Sequence, residues 1–250
     1  FSMPFPTCPF LYLFLIRQMV HFSLPWFAKD FNSTYIESCF VDTYGLFGDR
    51  FCTFYDETKV GWDRFITARD IPHMLSYSAQ LVDDGVSVTS PNGQSFCWNE
   101  ELLVEIQRYS STKISMSSYK APNPESPNLM SVDLASVLII TDSSLRKLER
   151  IWGENLDQQR FRANLMVSID EDAFNESRWI GKRVLIGGAE LQVEALCERC
   201  SIITIDPVTL ERDISLLKKV NEQVNLNFGV YASVKKTGQI QVGQKVYLSG

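Results

Sequence analysis

The chain has 250 residues, 45% hydrophobic and 22% charged, enough to bury a sizeable core in one large or two modest domains. A formal net charge of −6 argues against a protein that wraps nucleic acid. Six cysteines, at 8, 39, 52, 97, 197 and 200, are too few and too scattered for a disulfide scaffold, so free thiols in a reducing compartment are expected.

In chain order, Phe10-Leu11-Tyr12-Leu13-Phe14-Leu15-Ile16 is an apolar run far short of the roughly 20 residues needed to span a bilayer. Neither a basic region before it nor a clean cleavage site after it marks a signal peptide, and residues 1–19 are expected to lie outside the fold. From Val20 to about Arg108 the pattern is short strands and turns. Tyr44-Gly45-Leu46-Phe47-Gly48-Asp49-Arg50-Phe51 reads as a bend feeding a strand, and Leu81-Val82-Asp83-Asp84-Gly85-Val86 carries the Asp-Gly signature of a tight hairpin. Pro91-Asn92-Gly93 marks a further turn. Close spacing of such strands predicts a small barrel or sandwich.

Residues 109–131 are serine-rich and proline-punctuated, the composition of a solvated connector, which places a soft domain boundary there. The clearest helix follows. Thr141-Asp142-Ser143-Ser144 offers N-caps, Leu145, Leu148, Ile151 and Trp152 recur at helical spacing, and Gly153 stands at the C-cap position. Strands then resume through Phe161-Arg162-Ala163-Asn164-Leu165-Met166-Val167, Val184-Leu185-Ile186 and the alternation Leu191, Val193, Ala195. A short amphipathic helix is predicted around Ile214, Leu217 and Val220. Ile240, Val242 and Val246-Tyr247-Leu248, punctuated by Gly238 and Gly243, suggest a terminal hairpin or meander.

Chemistry concentrates at Ala195-Leu196-Cys197-Glu198-Arg199-Cys200-Ser201-Ile202-Ile203-Thr204-Ile205-Asp206-Pro207. Two thiols three positions apart beside an arginine can offer sulfur to a soft metal while a guanidinium holds an anion. Taken alone, the pair could equally be a redox couple, half of a zinc site or two buried small hydrophobes. With only His21 and His73 available and no second Cys-x-x-Cys, a zinc centre is poorly supplied.

Several separated segments together carry a family resemblance. Leu196 to Pro207 with Thr209, Phe228-Gly229-Val230-Tyr231-Ala232, and Gly238-Gln239-Ile240-Gln241-Val242-Gly243-Gln244-Lys245-Val246 resemble the MOSC domain. Gly45-Leu46-Phe47-Gly48-Asp49-Arg50 and Phe65-Ile66-Thr67-Ala68-Arg69 resemble the N-terminal β-barrel that precedes MOSC in the amidoxime-reducing branch of the family. The resemblance implies a β-rich α+β fold, a MOSC-type β-barrel core over residues 116–250 preceded by a smaller N-terminal β-barrel domain over 20–115. It also implies a molybdenum cofactor of the molybdopterin type, with Cys200 as the metal ligand and the residue on which catalysis centres. Arg162, Asn164 and Arg199 match positions that hold the cofactor's phosphate and pterin; Arg50 matches a cofactor-contacting arginine of the barrel, and Lys29 falls near that arginine's usual lysine partner.

The function implied is an oxidoreductase that reduces N-hydroxylated small molecules such as amidoximes and hydroxylamines. Its electrons would come from a separate redox protein, since the chain shows no four-cysteine iron–sulfur motif and no flavin fingerprint. Two other readings stay open: a sulfur or cofactor carrier working through Cys200, and a MOSC-fold module that has lost the cofactor. Asp30 stands where relatives carry a serine, and an acid there would repel a cofactor phosphate; Gln244 replaces a common aspartate. A cytoplasmic monomer is expected, without nucleic-acid partners or a membrane span, and membrane-anchored only if the apolar opening run is part of an anchor.

Overall fold

In the computed structural model of the chain, the described residues are 14–16, 20–23, 35–36, 38–82, 85–117, 120–130, 134–169, 174 and 176–249. The fold is sheet-rich with few helices, as expected for the β-rich α+β class. Its main feature is a nine-stranded sheet ordered Phe14–Ile16, Val246–Ser249, Arg183–Ile186, Ala189–Glu198, Asn227–Lys236, Val137–Thr141, Leu165–Val167, Val20–Ser23 and Tyr35–Ile36. Every pairing in it is antiparallel except Val137–Thr141 with Leu165–Val167. A parallel pair needs a crossover, and the helix Asp142–Trp152 supplies it.

Strands from the first fifty residues join both the large sheet and one of the small ones. The stretch set outside the fold by its apolar, unanchored character contributes Phe14–Ile16, which pairs with Val246–Ser249 at the sheet edge. Val20–Ser23 pairs with Leu165–Val167. Three smaller sheets complete the chain. Ser78–Val82, Gly85–Thr89 and Ser95–Cys97 form a meander, whose first turn is the tight hairpin read from the sequence, with Val82 opposite Gly85. Phe54–Tyr55 lies between Phe65–Ile66 and Ser115–Met116, and Ser38–Asp42 lies between Gly45–Leu46 and Gly238–Gln241. That last pairing replaces the expected terminal hairpin: Gly238–Gln241 and Val246–Ser249 join different sheets, because the partner of the former comes from the beginning of the chain.

Three α-helices are present among the described residues. α1, Glu100–Gln107, falls in a region expected to hold only strands and turns. Asn99 caps it by accepting from the Glu101 and Leu102 amides, two glutamates favour its positive end, and Leu102 and Ile106 bury one turn apart. α2, Asp142–Trp152, matches the sequence reading: Thr141 accepts from the Ser144 amide, Gly153 closes the helix at φ 86°, and Leu148 is fully buried. α3, Ile214–Val224, is capped by Asp213, but its buried residues are Leu216 and Val220 while Ile214 is exposed. The predicted face holds at Val220 and at the partly buried Leu217, and only Ile214, in the first turn, faces out.

Val137–Thr141 is buried along its whole length, so its alternation divides two cores rather than core from solvent. Val137 and Ile139 join Leu165, Val184, Leu191, Val193 and Val230 on one face. Leu138 and Ile140 join Leu148, Leu216, Val220, Phe161 and Phe228 under the helices on the other. A separate core around Phe51, Phe54, Met74, Tyr77, Val88, Leu102 and Ile106 supports the smaller sheets.

Candidate functional site

The strand Ala189–Glu198 ends at the cysteine pair, and its register against Asn227–Lys236 is irregular between Leu196 and Glu198. Across from this bulge runs Phe228-Gly229-Val230. Gly229 adopts φ 87°, and a Cβ there would stand 2.7 Å from the Ile139 carbonyl oxygen, so the neighbouring strand approaches too closely for any side chain. The bulge re-aims the strand end, burying Cys197 while leaving Cys200 exposed. Ser201–Thr204 follows as a single 3-10 turn.

A second 3-10 turn, Gln158–Phe161, packs beside it and ends at Arg162, whose φ of 57° is left-handed. The predicted strand across Phe161 to Val167 therefore shortens to Leu165–Val167. Two arginines tie the turns together reciprocally. Arg199 Nη2 donates to the Phe161 carbonyl and Nη1 to Cys197 Sγ at 3.1 Å. From the other turn, Arg160 Nη1 donates to the Ile203 carbonyl and Nη2 to Asp206 Oδ2 at 2.6 Å. The thiol loop is thus held at both ends by guanidinium groups.

The N-terminal half meets this site through Gly45 to Arg50. Gly45, at φ 121°, lies so close to the Ser136 backbone that a Cβ would come within 2.2 Å of its carbonyl oxygen. Arg50, also left-handed at φ 57°, donates from Nη1 to the Ala135 carbonyl at 2.7 Å.

A cavity of about 170 Å³ results, lined by Arg50, Thr67 and Arg69 from the first half of the chain and by Leu138, Phe161, Arg162, Cys197, Arg199, Cys200 and Tyr231 from the second. Arg50, Arg162, Arg199 and Cys200, four of the six residues singled out in the sequence, converge on it. Asn164 does not line it: it is fully buried behind Arg50. Lys29 lies outside the described residues.

Three features of the cavity bear on what it can hold. Arg50, Arg162 and Arg199 are each at least nine-tenths buried, and concentrated positive charge with little water around it favours an anionic ligand. Arg199 Nε is buried without a hydrogen-bond partner among the described residues, which leaves a donor for a group from outside. Among the described residues no group of three or more His, Cys, Asp or Glu gathers as a metal site. A metal beside Cys200 would therefore take its remaining ligands from outside the described residues. These residues fit a phosphorylated, metal-bearing cofactor.

Thr67, Arg69 and Tyr231 were present in the quoted motifs but had received no role. Burial, together with the neighbouring Cys197, pushes the Tyr231 phenol well above its ordinary pKa, so this cavity wall stays neutral. Arg160 had no local signature; Asp206-Pro207 with Thr209 did, since Asp206 Oδ1 accepts from the Val208 and Thr209 amides in an Asx turn.

Residues 127–247 match the family model described as the MOSC domain. Among curated proteins it is similar to human mitochondrial amidoxime reducing component 2, with 34% identity over 128 residues, 46% of this chain and 37% of that protein. It is also similar to the molybdenum cofactor sulfurase of Drosophila melanogaster, with 32% identity over 122 residues, 47% of this chain and 15% of the other. These matches take in well under two thirds of either relative. Among solved structures, the YuaD protein of Bacillus subtilis aligns over 95% of this chain and 99% of its own, with a TM-score of 0.47 and 11% identity. YiiM from Geobacillus stearothermophilus aligns over 46% of this chain and 54% of its own, with a TM-score of 0.37 and 18% identity. No helix among the described residues is long and apolar enough to cross a membrane.

Proposed function

We propose that the protein is a molybdenum-cofactor oxidoreductase that reduces N-hydroxylated small molecules with electrons from a separate redox protein. The observation that carries this reading is the exposed Cys200 thiol opening on a cavity lined by Arg50, Arg162 and Arg199, contributed from both halves of the chain. The relatives named for amidoxime reduction and for the molybdenum cofactor support the same class.

A bound cofactor would supply two-electron oxygen-atom chemistry, converting an N–OH group to N–H with two electrons and two protons and releasing water. Cys200 would hold the metal as a thiolate. Arg50, Arg162 and Arg199 would hold the phosphate and pterin, with Arg50 and Arg199 already fixed by their bonds to the Ala135 and Phe161 carbonyls so that little of their side-chain entropy is lost on binding. Tyr231, Leu138 and Phe161 would exclude water from the inner wall. In this proposal residues 20–115 form an N-terminal β domain and residues 116–250 the MOSC part, with the cofactor between them.

Protein expressed in a cofactor-competent host is expected to carry molybdenum and pterin in equal amounts, and Cys200→Ala to lose the metal while staying folded. Amidoxime reduction with an artificial electron donor should track metal content. Wild-type protein free of molybdenum and pterin would overturn the reading. The exposure of Cys200 also favours a second one, a sulfur carrier, which would show as one extra sulfur atom on Cys200 in the intact mass.

A further inference from the structure

Asn164 matches a family position that contacts cofactor, yet its side chain is fully buried and spent on the protein. Its Oδ1 accepts from the Leu138 amide at 2.8 Å and from Arg50 Nη2 at 3.4 Å. Its Nδ2 donates to Asp49 Oδ2 at 2.6 Å. Asp49, itself 1% exposed, turns its other oxygen to Arg50 Nε at 3.4 Å. Asp49, Arg50 and Asn164 therefore close a triangle that joins residues 114 and 115 positions apart.

Only an amide suits the corner that Asn164 occupies. Two donors face one of its atoms and a carboxylate faces the other, so it must accept on one side and donate on the other. An aspartate would set two carboxylates against each other, and a leucine would leave Asp49 and the Leu138 amide short of a partner in a buried place.

We propose that Asn164 and Asp49 form a latch between the two halves of the chain that aims Arg50 at the cavity, so that Asn164 is a positioning residue and not a cofactor ligand. The latch offsets the cost of holding Arg50 in a left-handed backbone conformation. Through Ala135 and Leu138 it also fixes the strand entry at the cavity's inner wall. This proposal rests on the cofactor reading for what Arg50 grips, but the triangle itself can be tested without any cofactor.

The decisive experiment exchanges the corners. Asn164→Asp, Asp49→Asn, the double variant Asp49→Asn/Asn164→Asp and the same Asn164→Asp change on an Arg50→Gln background are expressed in a cofactor-competent host. Molybdenum and pterin per chain are measured, with the urea midpoint of each. Asn164→Asp should retain roughly tenfold less cofactor, the ratio that loss of one buried charge-assisted contact brings. The exchanged pair, which restores donor opposite acceptor, should recover most of the wild-type content and midpoint. On the Arg50→Gln background Asn164→Asp should cause no further loss of cofactor. An equal loss on both backgrounds, or wild-type content in Asn164→Asp, would overturn the latch. If wild-type protein binds neither molybdenum nor pterin, the functional reading fails instead. The latch then stands or falls on whether the exchanged pair regains the urea midpoint that each single change lowers.

Discussion

Gly45→Ala tests the junction on which the cavity depends. Gly45 sits at φ 121°, where a Cβ would lie 2.2 Å from the Ser136 carbonyl oxygen and 3.1 Å from its carbonyl carbon. Both are backbone atoms of the stretch entering the buried strand Val137–Thr141, so neither can swing aside as a side-chain tip would. Alanine must therefore either take up strained backbone or push the Gly45 to Arg50 segment off its neighbour, loosening the bond from Arg50 to Ala135. Strain of about 1–3 kcal/mol with a similar steric contribution gives a loss of about 2–6 kcal/mol. For a chain of this size that lowers Tm by about 4–24 °C. Gly93→Ala is the control: its φ is 85°, but a Cβ there meets nothing within 4 Å, so only the backbone cost of about 1 kcal/mol applies. Urea denaturation and thermal melting of both variants separate the two contributions. A Gly45→Ala protein no less stable than Gly93→Ala would refute the close approach of the two segments.

Other consequences are as direct. Leu148→Ala empties a fully buried position between α2 and the sheet and should cost about 3 kcal/mol in urea denaturation, within the range for leucine truncation in a packed core. Iodoacetamide at mildly alkaline pH, followed by peptide mass mapping, should label Cys97 and Cys200 in the native protein. Cys39 and Cys52 should react only after unfolding, because burial pushes Cys39 up to about 12, helped by the Asp49 charge, and raises Cys52 further. Acid should loosen the thiol loop. Burial of Asp206 opposes its ionisation, but the Thr209 and Val208 amides and Arg160 outweigh this and hold its pKa below the ordinary carboxylate range. Its contribution is then complete above about pH 4, the unfolded value, and fades as pH falls through the depressed folded value. Asp206→Asn should show a flatter loss of stability in that window, and a slope equal to wild type would refute the assignment.

What could be read from the chain alone follows from how local each signal is. α2 was legible because its cap, apolar stripe and terminal glycine all lie within Thr141–Gly153. The hairpin at Gly85 was legible for the same reason. α1 escaped because eight residues with only two buried apolar positions give too little periodicity to outweigh the strands on either side. The terminal strands were misassigned to one hairpin because the partner of Gly238–Gln241 lies near the start of the chain, beyond any local pattern.

Asn164 shows the deeper reason why sequence reading stops short at a site. A polar residue at a fixed place in a motif satisfies the pattern equally well as a ligand or as a brace for one, since both roles select the same amide. The two differ in what the amide's lone pairs and protons face, and here they face Leu138, Arg50 and Asp49. Gln244 makes a related point on the surface: its Oε1 accepts from the Gln241 amide, closing a turn as a carboxylate oxygen would. An amide in place of a carboxylate thus leaves that turn's bond intact, while the bonds of Asn164 are made within the protein. Site residues carried over from a motif therefore need their hydrogen bonds accounted for before they are assigned to a ligand.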